Sequence, residues 1–319
     1  MRKSVFLRLF AASALLLSMC DSYDGPPGVG SVKAVDPVAN TLMAEAKGYH
    51  AEGSTRKEIR TLKKLVLNHE LAPNAAEGRF LLGKAYESRQ EYRDAFKEYS
   101  KLIDRYPQSP LYTDALNRQL AMAMDAAEGK MKVPVLWGAW ETEMESSVVI
   151  SWLREIVTKA PYNDMAATAS SILGKYLVDL ERYEDARAEY SKLVEKYPDS
   201  KYAPDAQLMV AQLWAGSHTR GDQNLVNLSN AREAYEEFTL RFPNHKDAGK
   251  ALAEASNMKR LLVQQELEVG RYYLERSREY TSAIFCFESV IRQKKVNPEA
   301  AAEAETLLAK AREAAARQS

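Results

Sequence analysis

The chain is predicted to be all-α, a solenoid of stacked helix pairs, on two observations. The first is an internal repeat: YRDAFKEYSKLIDRYP at 92–107 returns as YEDARAEYSKLVEKYP at 183–198. A helix duplicated at that level marks an array in which each unit buries its apolar face against its neighbours, and such an array works as a surface rather than a pocket. The second is composition. Of 319 residues 46% are hydrophobic and 28% charged, with only 14 Gly and 12 Pro. That supports a sizeable core built from helix formers, Ala, Leu, Glu, Lys and Arg. No alternating strand-length run ends in an Asn-Gly or Asp-Gly turn, so no sheet is expected. Basic and acidic residues balance at 44 each, which argues against nucleic acid as the main partner.

In chain order, Arg2, Lys3 and Arg8 precede an 11-residue stretch, Leu9 to Met19, that is apolar apart from Ser13 and Ser18. It is too short to span a bilayer and reads as an export signal. It ends in Leu17-Ser18-Met19-Cys20, which resembles the bacterial lipobox. The resemblance implies a diacylglyceryl group on Cys20, cleavage before it and acylation of the new N-terminus, a multi-chain anchor. The expected organisation is a signal peptide at 1–19, a lipidated Cys with a flexible tether containing GPPGVGS at 20–36, and a repeat solenoid at 37–319. Asp21 directly after the Cys resembles the inner-membrane retention signal of enterobacterial lipoproteins. Cys286 is the other cysteine. With Cys20 acylated it has no disulfide partner, and its setting, Phe285-Cys286-Phe287, reads as core.

Helices begin at Asp36-Pro37, an N-cap followed by a first-turn proline. Pro73, Pro107, Pro161, Pro198 and Pro243 then divide the chain at intervals of 34, 54, 37 and 45 residues. In the clearest repeat, Leu82-Gly83 is followed by Tyr86, Ala95, Tyr99, Leu102 and Pro107. In the second, Leu173-Gly174 is followed at identical offsets by Leu177, Ala186, Tyr190, Leu193 and Pro198. Both the 34-residue length and the offsets match the tetratricopeptide repeat. Small residues on each helix (Gly83 with Ala95, Gly174 with Ala186) are expected to allow close approach, with Tyr99 and Tyr190 filling the space beyond. Arg79 and Ser170 stand where the consensus often has Trp. Flanking copies cover 38–72, with Gly48 at the small site, 111–160, 203–243 and 260–296, the last with Gly270, Tyr273, Ala283 and Phe287. Residues 298–317 read as a capping helix. The expected fold is a tetratricopeptide-type right-handed superhelix of about six helix pairs plus that C-terminal cap.

Residues 76–296 resemble the BamD-like lipoproteins of the outer-membrane β-barrel assembly machinery. The carrying features are the lipobox-like Cys and repeats of the form Y-x-x-A-x-x-x-Y-x-x-L-x-x-x-Y-P-x-S. They also include an insertion with Asp222-Gln223 before Ala231-Arg232, and the closing segment LLVQQELEVGRYYLERSREYTSAIFCFESVI at 261–291. The resemblance implies a lipid-anchored protein on the periplasmic face of the outer membrane. It would bind the periplasmic domains of the barrel-forming subunit and help receive nascent outer-membrane proteins. The alternative is a periplasmic coordinator of envelope-division or peptidoglycan machinery, where similar YP-ended repeats occur.

Catalytic constellations are missing from the sequence. His50, His69, His218 and His245 are scattered, no Cys/His set has zinc spacing, and no G-x-S-x-G elbow exists. Neither enzyme activity, cofactor nor metal is expected. The candidate partner-binding residues are Phe80 and Lys84 with Glu87, Lys175 with Val178, and Arg271 with Leu274, all on the first helices of their pairs. Trp137 and Trp140, in the break KMKVPVLWGAWE, are candidate aromatic anchors.

Overall fold

The computed structural model describes residues 35–135, 140–162, 164–219 and 225–318. The predicted signal peptide, Cys20 and most of the tether, Trp137, and the Asp222-Gln223 pair lie outside the described residues. The described part divides into two compact units between Trp152 and Leu153.

The architecture is an all-α stack of helix pairs. In the first unit lie α1 (Pro37–Ala51), α2 (Thr55–Asn68), α3 (Ala75–Glu87), α4 (Tyr92–Arg105) and α5 (Tyr112–Ala127). They are followed by a hairpin and the start of α6 (Ser146–Lys159). The second unit holds α7 (Asp164–Asp179), α8 (Tyr183–Lys196), α9 (Ala203–Thr219), α10 (Leu225–Arg241), α11 (Ala248–Tyr272), α12 (Tyr280–Arg292) and α13 (Pro298–Gln318). These helices stand where six pairs and a cap are expected.

The ends are set by local chemistry. The Asp36 carboxylate accepts a hydrogen bond from the Ala39 N–H at 3.1 Å, and Pro37 opens α1. A second contact, 2.9 Å between Asp36 Oδ2 and His69 Nδ1, ties that cap to the end of α2. At the other ends α4, α6, α8 and α10 stop at Arg105, Lys159, Lys196 and Arg241. In each case a proline follows within two residues, because it lacks an N–H and clashes with a continuing turn.

The pair contact differs from the expected glycine–alanine approach. A Cβ added to Gly83 would lie 2.6 Å from Tyr99 Cε1, and one on Gly174 would lie 2.6 Å from Tyr190 Cε1. The ring packs directly on the glycine, so Tyr99 and Tyr190 are themselves the contact. Gly270 makes the same contact with Phe287, also at 2.6 Å. Gly48 does not belong to this set, since nothing lies within 4 Å of its Cβ position.

The third copy carries one extra residue between the glycine and the ring. Gly83 and Gly174 are each followed at the same interval by a residue in left-handed backbone, Gln90 (φ 60) and Glu181 (φ 59). After Gly270 that residue, Arg278 (φ 57), comes one position later. The surplus is absorbed where α11 ends in a π turn, Tyr273–Ser277. Helix α11 is itself longer than expected. Its first half packs on α10 and its second half on α12 and α13, joining two buried clusters, one around Phe238 and Met258 and one around Leu267 and Phe287.

The break after α5 holds the strands the sequence did not suggest. β1 (Lys132–Val135) pairs antiparallel with β2 (Trp140–Glu143), placing Lys132 opposite Glu143 and Val135 opposite Trp140. Lys132 Nζ and Glu143 Oε1 stand 2.9 Å apart. Each strand has only four residues and Pro134 lies within β1, so neither shows the alternation that marks a strand.

Candidate protein-interaction surfaces

On α3, Lys84 is exposed, but Phe80 is half-buried with its ring 5.6 Å from that of Tyr99. Glu87 is tied down more tightly. It accepts the Tyr99 hydroxyl at 2.5 Å and the Arg118 Nε–H at 3.1 Å, linking α3, α4 and α5. Burial, and then the hydrogen bond to Glu87, push the Tyr99 phenol far above its usual range. Burial likewise pushes Tyr190 up to about 12. Phe80 and Glu87 thus belong to the pair's packing, leaving Lys84 as the solvent-facing member of that set.

In the second unit, Lys175 is exposed and Val178 half-buried, while Leu274 packs against the cluster around Phe287. Arg271 is held by carboxylates from two helices, Glu268 at 3.0 Å on its own helix and Glu303 on α13. The local pair with Glu268 was legible in the sequence, but the clasp to the cap was not. Beside it Tyr272 is 60% exposed and Val269 37%, and Phe285 on α12 is 67% exposed. Trp140 on β2 is 54% exposed. Phe80, Lys84 and Trp140 share no hydrogen bond, ion pair or ring contact among the described residues, nor do Lys175 and Arg271. Cys286 is buried, and burial raises its thiol pKa.

Sequence reasoning missed two features. The first is a buried ion pair at the consensus Trp position. Arg79, only 2% exposed, donates to Glu98 at 2.9 Å and to the Val66 carbonyl at 3.2 Å, and Lys101 supports Glu98 at 2.8 Å. The second is a groove of about 570 Å³ flanked by α8 and α10 and floored by α9. It lies along second helices, not the first-helix face singled out above. Glu195 on α8 and Glu233 and Glu237 on α10 are among its lining residues. Among the described residues no group of three or more His, Cys, Asp or Glu is placed to hold a metal ion, and no helix is long and apolar enough to cross a membrane.

The architecture defines a helix-pair repeat protein, and comparison agrees. Two family profiles, both described as tetratricopeptide repeat, match residues 77–109 and 152–215, so the chain carries tetratricopeptide repeats. A search of curated proteins returns no match. Among solved structures the chain is similar to MamA 41-end from Desulfovibrio magneticus RS-1, with 18% identity over 67% of this chain and 99% of that one, at TM-score 0.30. It is also similar to PilF of Pseudomonas aeruginosa, with 15% identity over 84% and 97% of the two chains, at TM-score 0.30. A tetratricopeptide repeat protein from Parabacteroides merdae shares 11% identity over 85% and 100%, also at TM-score 0.30. Likenesses at this level bear on neither partner nor activity.

Proposed function

We propose that the chain is a non-enzymatic scaffold of the outer-membrane β-barrel assembly machinery. It would be held at the periplasmic face of that membrane by lipid on Cys20, and would bind the barrel-forming subunit and nascent outer-membrane proteins. Tetratricopeptide repeats are surfaces for protein partners, which supports the scaffold half of the reading. The observation that carries the specific half is the closing segment 261–291, similar to the last repeat of BamD-like lipoproteins. In this chain that segment leaves Tyr272, Val269 and Phe285 exposed. An exposed aromatic beside a charged clasp is the usual make-up of an interface anchor.

The test separates contact from clasp. Tyr272→Ala is expected to abolish co-purification of the barrel-forming subunit while the melting temperature stays unchanged. Arg271→Glu is expected to lower the melting temperature slightly, because it places a third carboxylate against Glu268 and Glu303. A Tyr272→Ala protein that still brings down the partner at full yield would move the search to Lys84 and Trp140. For the anchor, Cys20→Ala is expected to shift the protein out of the membrane fraction with its fold intact. Sedimentation of that variant with membranes after a high-salt wash, and no acyl mass on wild type, would count against the lipoprotein reading.

A further inference from the structure

We infer that the free edge of β2 is a docking site for an extended segment of a protein partner, which adds antiparallel to the hairpin as a third strand and sets a lysine or arginine opposite Glu141. The inference stands whether or not the chain serves the assembly machinery.

The backbone picks an extended occupant. Among the described residues β1 and β2 form a two-stranded sheet, so each has one outer edge. Pro134 has no N–H, so its pair with Glu141 cannot exchange both ladder bonds and is of the non-bonded kind. The Lys132–Glu143 pair, two residues on, is then non-bonded as well, the kind that brings side chains closest. The 2.9 Å between Lys132 Nζ and Glu143 Oε1 agrees. In such pairs the N–H and C=O groups point away from the ladder. The outer edge of β1 therefore belongs to Lys132 and Pro134, and the proline blocks it. The outer edge of β2 belongs to Glu141 and Glu143, whose two donors and two acceptors repeat at about 7 Å. Among the described residues no backbone hydrogen bond reaches them from outside the hairpin, and all four residues of β2 are exposed. One edge is open and the other is closed. An open edge takes its partner by main-chain hydrogen bonds, with alternate side chains setting specificity.

Charge picks the side chains. Around the hairpin, Lys130 pairs with Glu128, Lys132 with Glu143, and Arg93 with Glu145. Glu141 stands opposite Pro134, which carries no charge, and pairs with no cation among the described residues. A basic side chain opposite Glu141 on the added strand supplies one. The same residues argue against a second copy of the chain as occupant. Every antiparallel register that joins the outward groups of two β2 strands sets a glutamate opposite a glutamate, and like charges directly opposite destabilise. The other face of β2 carries Trp140, 54% exposed, and Thr142, which suits β-branched side chains flanking the basic one.

The experiment titrates the full chain into fluorescein-labelled acetyl-Gly-Thr-Val-Lys-Val-Gly-amide, reading anisotropy. In the proposed register the backbone N–H groups of Thr and Lys point at β2, and those of the two valines point away. Methylating the backbone nitrogens of Thr and Lys is expected to abolish binding, and methylating those of the two valines to leave it. Replacing Lys by Glu in the peptide is expected to weaken binding several-fold. On the protein, Glu141→Pro removes an outward N–H that plays no part in the ladder with β1. It is expected to abolish binding at an unchanged melting temperature; if it melts low, the methylated peptides decide. No binding of the parent peptide, equal binding of the two methylated peptides, or full binding by Glu141→Pro overturns the inference.

Discussion

Gly83→Leu and Gly174→Leu are each expected to destabilise the protein severely, and even Gly83→Ala should cost stability. In an ordinary helix interior Gly→Ala stabilises by about 0.5–1 kcal/mol, because glycine gives up more backbone freedom on folding. At Gly83 that gain is opposed by a Cβ 2.6 Å from the Tyr99 ring. The ring has nowhere to go. It is fully buried, and its hydroxyl is pinned to Glu87, which Arg118 holds in turn. Overpacking typically costs ~1–3 kcal/mol, and leucine adds three more carbons to a site that rejects the first. Gly48→Ala is the internal control. It lies inside α1 with nothing within 4 Å, so it should stabilise by about 0.5–1 kcal/mol. Chemical denaturation of the four variants decides the matter. Gly83→Ala as stable as Gly48→Ala would sink the glycine–ring contact.

Arg79→Ala is the second large effect, expected to cost about 3 kcal/mol or more, the range for breaking a buried ion pair from one side. The loss is greater than that of a surface bridge, because Glu98, only 10% exposed by its side chain, is left charged in the interior. Lys101 partly compensates from 2.8 Å, which keeps the expected value at the lower end. The double change Arg79→Met, Glu98→Leu should cost much less than Arg79→Ala alone, since replacing both charges with apolar groups removes the desolvation penalty with the attraction. A double variant as unstable as the sum of its single changes would show that the pair is not coupled.

Much of the fold was legible because its signals are local. The Asp36-Pro37 start, the prolines after α4, α6, α8 and α10, and the two glycine-to-tyrosine repeats all lie within one helix pair. The role given to the glycines was nearly right, but the partner was misread: spacing shows that Gly83 and Tyr99 recur together, not that one sits on the other. The one-residue surplus in the Gly270 copy was visible as an offset, whereas its accommodation as a π turn depends on backbone hydrogen bonding that no residue type signals. The hairpin escaped because its strands are four residues long and one contains Pro134.

The surfaces were harder to read. Phe80 and Glu87 look exposed on helical spacing, and it is Tyr99 and Arg118, from α4 and α5, that bury them. Arg79 stands at a consensus Trp position, and its partner Glu98 is 19 residues away. Arg271 meets Glu303 across 32 residues. The α8–α10 groove draws its lining from three helices. In each case the property belongs to tertiary proximity rather than to spacing along the chain.

The most direct measurement is affinity purification of the full-length protein from detergent-solubilised envelope, identifying the partner that comes down in stoichiometric amount. The proposed place in the β-barrel assembly machinery predicts the barrel-forming outer-membrane subunit. A stoichiometric partner from the division or peptidoglycan machinery, with no barrel-forming subunit, would contradict it.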